Sequence, residues 1–189
     1  MKLRSLAALP VVLALGLAAS PALTQPNPAA HQHGHAQLQI AIDREQLELL
    51  LVSPAYNLTG FEHRPQTPEQ QQAVEAIRDW LEQTAVVNTL DSLCTPVASH
   101  LNVGWDQKPE AEPEHDHRHD DTADHDSGHN DLEITQSLHC PGLSDTAQFK
   151  TNLMERFPAL EQLEVQWAGP KGQGSARLSP ENTSFHPGR

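Results

Sequence analysis

Basic side chains are scarce: 12 Lys and Arg stand against 25 Asp and Glu, for a net charge of −13. A nucleic-acid backbone needs a basic face, so no nucleic acid is expected as the main partner. Aromatics make up only 4% of the 189 residues and hydrophobics 37%, part of which lies in the first twenty positions. That supply suits one small core rather than two. The only long apolar run is residues 6–19, and no second stretch could span a bilayer. Catalytic signatures are missing as well: there is no His-Glu-x-x-His, no Gly-x-Ser-x-Gly and no phosphate-cradling glycine loop. The expectation is therefore a protein that is not an enzyme.

The chain is instead rich in histidine, with 12, and proline, with 15. Its start, Met1-Lys2-Leu3-Arg4, is basic; the apolar run and the small residues around Ser20-Pro21-Ala22 follow. This is the three-part pattern of a secretory signal peptide, expected over residues 1–22 and cleaved after Ala22. No cysteine follows the run, which argues against a lipid anchor, and no stable membrane anchor is expected. Removal of Lys2 and Arg4 leaves 10 basic against 25 acidic side chains, a charge of about −15. Cys94 and Cys140 both lie in the exported part, where an oxidising compartment permits a disulfide. Closing that loop stabilises a fold by at most about 4 kcal/mol in the chain-entropy model. The alternative is that Cys94, Cys140 and the adjacent His139 hold zinc as a thiolate site.

Residues 23–30 read as a mobile, proline-punctuated spacer and residues 31–189 as a single domain. His31, His33 and His35 alternate with Gln32 and Gly34, and the alternation continues through Leu38, Ile40 and Ile42. Period two predicts a half-buried strand. After a polar turn at Asp43-Arg44-Glu45, residues 47–52 form the returning strand of a hairpin. If the strand reaches back to His31, three imidazoles share one face. Residues 53–65 read as an irregular loop that covers the core and presents Glu62 and His63. Thr67-Pro68-Glu69-Gln70 is a strong helix start, and Ala73, Ile77, Trp80 and Leu81 carry the main helix to about Thr84. Strands are expected over residues 97–105 and 132–138, a second, shorter helix over 144–157, and strands at Leu163, Val165 and Trp167 and at Ala176-Arg177-Leu178. The fold class is α+β: an antiparallel β-sheet, these helices and a long hairpin. Its tip, residues 106–131, has no apolar residue except Ala111 and Ala123 and is expected to be disordered.

That insert holds His115, His117, His119, His125 and His129 among ten carboxylates. Neutral imidazole suits zinc, copper and nickel, while the carboxylates complete a shell or orient the ring. Such a segment collects cations without a prebuilt pocket. His31, His33 and His35 adjoin predicted structure and lose less entropy on binding, so a tighter tier is expected from some of these with His63 and perhaps Glu62 or His139. Capacity should fall as pH drops through about 6.5, since the bound form needs neutral imidazole. A pH- or partner-responsive interaction protein, and a copper or nickel buffer, are the competing readings.

His31-Gln32-His33-Gly34-His35-Ala36 leading into Leu38 and Ile40, then Ser53-Pro54-Ala55-Tyr56-Asn57-Leu58-Thr59-Gly60-Phe61-Glu62-His63, resembles the start of the ZrgA family of periplasmic zinc-uptake accessory proteins. The His/Asp/Glu-rich insert between two cysteines and Phe157-Pro158-Ala159-Leu160 before Val165-Gln166-Trp167 fit the same family. The resemblance implies a periplasmic protein that captures Zn²⁺ and aids its delivery to an ABC-type zinc importer, beside that importer's solute-binding protein. It extends ligand roles to His31, His33, His35, His63 and the insert histidines. For Tyr56 and Asn57 the expected role is to fix the loop over the core.

Overall fold

Apolar–polar alternation builds β1 (His35–Asp43), which buries Ala36, Leu38 and Ile40 and exposes Gln37 and Gln39. The computed structural model describes residues 32–90, 93–106, 130–143 and 148–187, within a unit that spans His31–Arg189. The expected signal peptide and spacer, His31, and the five insert histidines lie outside the described residues. Arg44, with φ 53°, turns the chain into β2 (Gln46–Pro54), whose Leu47, Leu49 and Leu51 are buried opposite Ile42, Ile40 and Leu38. The expected hairpin is present.

Residues 53–65 are more regular than expected, because Pro54 and Pro65 only bracket them. Ala55–Thr59 forms one helical turn, α1, which Pro54 can precede because it needs no donor there. Gly60 ends it in the left-handed region at φ 83°, its N–H donating to Tyr56 O at 2.9 Å. In α2 (Pro68–Gln83), Thr67 and Gln70 form the reciprocal capping box with Pro68 in the first turn. Val74, Ile77 and Leu81 are its buried stripe; Ala73 is only half-buried, and Trp80 meets Phe157 edge-on at 5.5 Å.

The remaining elements are β3 (Val87–Thr89), β4 (Thr95–Val103), a 3-10 turn at Gly104–Asp106, β5 (Asp131–His139), β6 (Phe149–Thr151), α3 (Leu153–Arg156), β7 (Gln162–Gly169), β8 (Gly172–Leu178) and β9 (Ser184–Phe185). Six strands form one sheet in the order β4-β5-β2-β1-β7-β8, and β3-β6-β9 form a smaller one. Four of the five pairings in the large sheet are antiparallel, as expected; β1 and β7 pair in parallel, with Leu38 opposite Val165. The parallel neighbour follows from the crossover after β5, which carries the chain through β6 and α3 to the other side of β1 before it enters β7.

The helix expected over residues 144–157 is corrected. Residues 144–147 lie outside the described residues, Phe149–Thr151 is strand, and only Leu153–Arg156 is helical. Phe149, Leu153 and Phe157 are all buried, so the apolar spacing was a sound sign of burial. Pairing with β3 and β9 overrides the helical period, and Thr151 Oγ1 secures it by donating to Val86 O at 2.8 Å.

Cys94 and Cys140 are bridged and buried, which removes the thiolate-site alternative. The bridge lies where β4 begins and β5 ends, at the base of their hairpin. Glu45 O accepts from Cys140 N at 2.7 Å and fastens that base to the β1–β2 turn.

Candidate metal centre

His33 lies outside the strand. The chain turns before β1, with His35 N donating to Gln32 O at 3.1 Å, and Gly34 takes φ 81° there, a conformation that a side chain would strain. The three-imidazole face expected from strand alternation therefore does not extend to His33, because the strand begins at His35. Instead the His33 ring stacks on Tyr56, with centroids 4.6 Å apart and planes 16° apart, and its Nε2 lies 2.5 Å from Glu62 Oε1. Both partners arrive from the segment that follows β2. The His33 side chain is 50% exposed and that of Glu62 21%, so the pair is open to solvent on one side.

Asn57 is buried beneath this pair, at 2% exposure. Its Oδ1 accepts from Gly34 N at 2.7 Å, and its Nδ2 donates to His35 O at 2.9 Å and Ser53 Oγ at 3.1 Å. The carbonyl of Gly34 accepts from both Glu161 N and Gln162 N at 2.8 Å. The expectation that Asn57 fixes its loop agrees with this burial; Tyr56 is 41% exposed and faces His33 rather than the core.

Other predicted ligands are nearby but differently engaged. His35 is half-buried, and its Nδ1 lies 3.2 Å from Gln162 Nε2. His63 is exposed; its Nδ1 lies 2.9 Å from Arg64 O, and its ring stacks on Phe61 at 5.5 Å. Phe61 in turn meets Trp105 at 6.2 Å, and Arg64 Nη2 donates to Trp105 O. His139 is not part of this group. It pairs with Gln46 at the far end of the sheet, beside Asp43, Arg44 and Glu45. A nine-residue strand separates the two ends by about 26 Å.

The insert leaves and returns at the His33 end. Gly104 precedes it and packs so closely on the returning chain that a Cβ there would sit 3.0 Å from Asp131 O and 3.3 Å from Asn130 Oδ1. Asn130 O accepts from Ala55 N, and Asn130 Nδ2 donates to Glu62 O, both at 2.8 Å. The returning root of the insert is thus hydrogen-bonded to the residue whose carboxylate meets His33. Nothing in the sequence pattern pointed to Asn130, since this contact spans 68 positions.

Among the described residues no group of three or more His, Cys, Asp or Glu side chains could hold a metal ion. The described residues at this end bring together an imidazole and a carboxylate, donor types suited to a borderline divalent ion. A family model described as ZrgA family zinc uptake protein matches residues 30–187. The chain belongs to that family. A search of curated proteins returned no match. Membership gives this ZrgA-family protein a zinc-related uptake role, with zinc as its cargo, which agrees with the imidazole and carboxylate chemistry of its exposed end. Among the described residues no helix is long and apolar enough to cross a membrane.

Proposed function

We propose that this ZrgA-family protein is a non-enzymatic periplasmic zinc collector that passes Zn²⁺ to an ABC-type importer through that importer's solute-binding protein. The observation that carries the reading is the position of the His33–Glu62 pair, bonded through Asn130 to the root of the histidine-rich insert. In this scheme His115, His117, His119, His125 and His129 raise the local zinc concentration, while the acidic charge around them attracts cations. The His33–Glu62 pair is a fixed point on the folded body. Zinc held there can exchange with donors from the insert or from an acceptor protein, because the pair lies at the exposed end of the domain. His31 and His63 are the candidate additional ligands from this chain. His35 has its Nδ1 against Gln162 and serves better as a spacer that begins the strand.

Calorimetric zinc titration of the mature protein, of a form lacking residues 107–129, and of that form with His33→Asn tests this division. The deletion should remove most of the capacity and leave one site, which His33→Asn then removes. Full capacity after the deletion would overturn the collecting role of the insert, and complete loss would overturn the folded site. Delivery is tested by mixing the zinc-loaded protein with the purified solute-binding protein: zinc should transfer faster than it dissociates into a chelator. Equal rates would refute direct handover.

A further inference from the structure

We propose that Asn57 is the positioning residue of the zinc site, its buried amide holding the Gly34 turn that aims the His33 ring at Glu62. This rests on the reading of His33 and Glu62 as zinc ligands. An asparagine that served only its own helical turn would bond locally. Asn57 instead sends two of its three hydrogen bonds back across 22 and 23 positions, to His35 O and Gly34 N, the backbone groups that follow His33. The third, to Ser53 Oγ, ties the same amide to the end of β2. Burial makes each of these contacts costly to lose, because water cannot replace a partner at a site this enclosed.

The geometry has a second consequence. Tyr56, Asn57 and Glu62 all come from one short segment, and each reaches the His33 turn in a different way: a stacked ring, a buried amide and a carboxylate. The amide grips backbone on both sides of the turn, so it sets the register in which the other two meet the imidazole. On the opposite side, Glu161 N and Gln162 N hold Gly34 O and stop the turn from following a shift of Asn57. The turn is thus held between β7 and the Asn57 amide. A ligand held in place before the metal arrives loses less freedom on binding.

The test uses the full mature chain with the five insert histidines replaced by Asn, so that only the folded end is read. Zinc affinity is measured by competition with a chromophoric chelator at a temperature where every variant is folded, and the His33 ring protons are followed by NMR without metal. Stacking on Tyr56 shields those protons; Tyr56→Leu identifies the shielded signals. His33→Asn should lose the site. Asn57→Ala should weaken zinc binding about 10- to 100-fold at unchanged stoichiometry and move the His33 protons back toward free-imidazole positions. A purely structural role would lower the unfolding temperature and leave both readouts in place. Gly34→Ala disturbs the same turn from the other end of the hydrogen bond, meeting only the flexible end of Glu161 at 3.3 Å, and should act in the same direction if Asn57→Ala does not fold. Affinity within about twofold of the parent, with the shielded signals intact, in whichever of these variants folds overturns the positioning role. Undiminished affinity in His33→Asn overturns the zinc reading itself, and the zinc role of Asn57 with it.

Discussion

Gln136 is a polar side chain at 1% exposure on the inner face of β5, and its replacement by leucine should be costly although the volume hardly changes. Its Oε1 accepts from Val86 N at 3.0 Å, and its Nε2 donates to Leu81 O at 2.8 Å, Thr84 O at 2.9 Å and Ser99 Oγ at 3.2 Å. The end of α2 needs such a partner, since Thr84 leaves the helix in an extended conformation at φ −131° rather than through a left-handed cap that would satisfy the last carbonyls. In Gln136→Leu, Leu81 O keeps Ser99 Oγ at 2.8 Å, whereas Val86 N and Thr84 O lose this partner in the interior. One buried N–H and one part-buried carbonyl at about 1–3 kcal/mol each, less about 1 kcal/mol regained from the apolar replacement, give a loss of about 1–5 kcal/mol. For a domain of this size that lowers the unfolding temperature by roughly 2–20 °C. Urea unfolding should show a lower midpoint at constant slope, and zinc stoichiometry in the cold should be unchanged because Gln136 is far from the His33 turn. A loss under about 1 kcal/mol would refute the view that this amide terminates the helix.

Three further outcomes are expected. Replacing Cys94 and Cys140 together by alanine should destabilise the protein by up to about 4 kcal/mol in urea unfolding and leave zinc capacity unchanged, since the bridge closes a separation of 46 positions far from the insert; a fall in capacity would revive a thiolate role. Gly174→Ala should cost about 1–3 kcal/mol, because its Cβ would sit 2.5 Å from Trp167 Cζ2, and an unchanged denaturation midpoint would show that the indole ring moves freely. The Glu69 carboxyl is held below its ordinary 4.5 by backbone hydrogen bonding at the helix start and then by Thr67. Its folded value is depressed, so its stabilisation is present above the unfolded value and lost as pH falls through the folded one. The stability difference between the parent and Glu69→Gln should be flat at neutral pH and close on acidification below 4.5; a gap that widens on acidification would contradict the sign.

Local rules carried most of the fold. The β1–β2 hairpin, the Thr67 capping box and the β4–β5 pairing each follow from signals within about ten residues, or from two such signals facing each other. What stayed hidden depends on partners distant in sequence. Phe149–Thr151 carries a helical spacing, and only β3 and β9 make it a strand. The parallel β1–β7 pairing is likewise a property of the crossover, with no residue that announces it. At the site, His33 and Glu62 were both legible as ligand types; their meeting across 29 positions was not. His139 shows the converse, since its chemistry suited a ligand and its register placed it at the wrong end of the sheet.

That register also separates two demands that would conflict in one place. On the proposed reading, zinc capture needs an end of the molecule that is exposed and acidic, which is a poor source of stability. The Cys94–Cys140 bridge and the Glu45–Cys140 hydrogen bond sit at the other end, where the hairpin that carries the insert is closed. Between them run β5, β2 and β1, with Leu138, Ile134, Leu51 and Leu38 buried along the way. The contacts that close the base of the hairpin are therefore separate from those at Gly104, Asn130 and Asp131, where the insert is rooted.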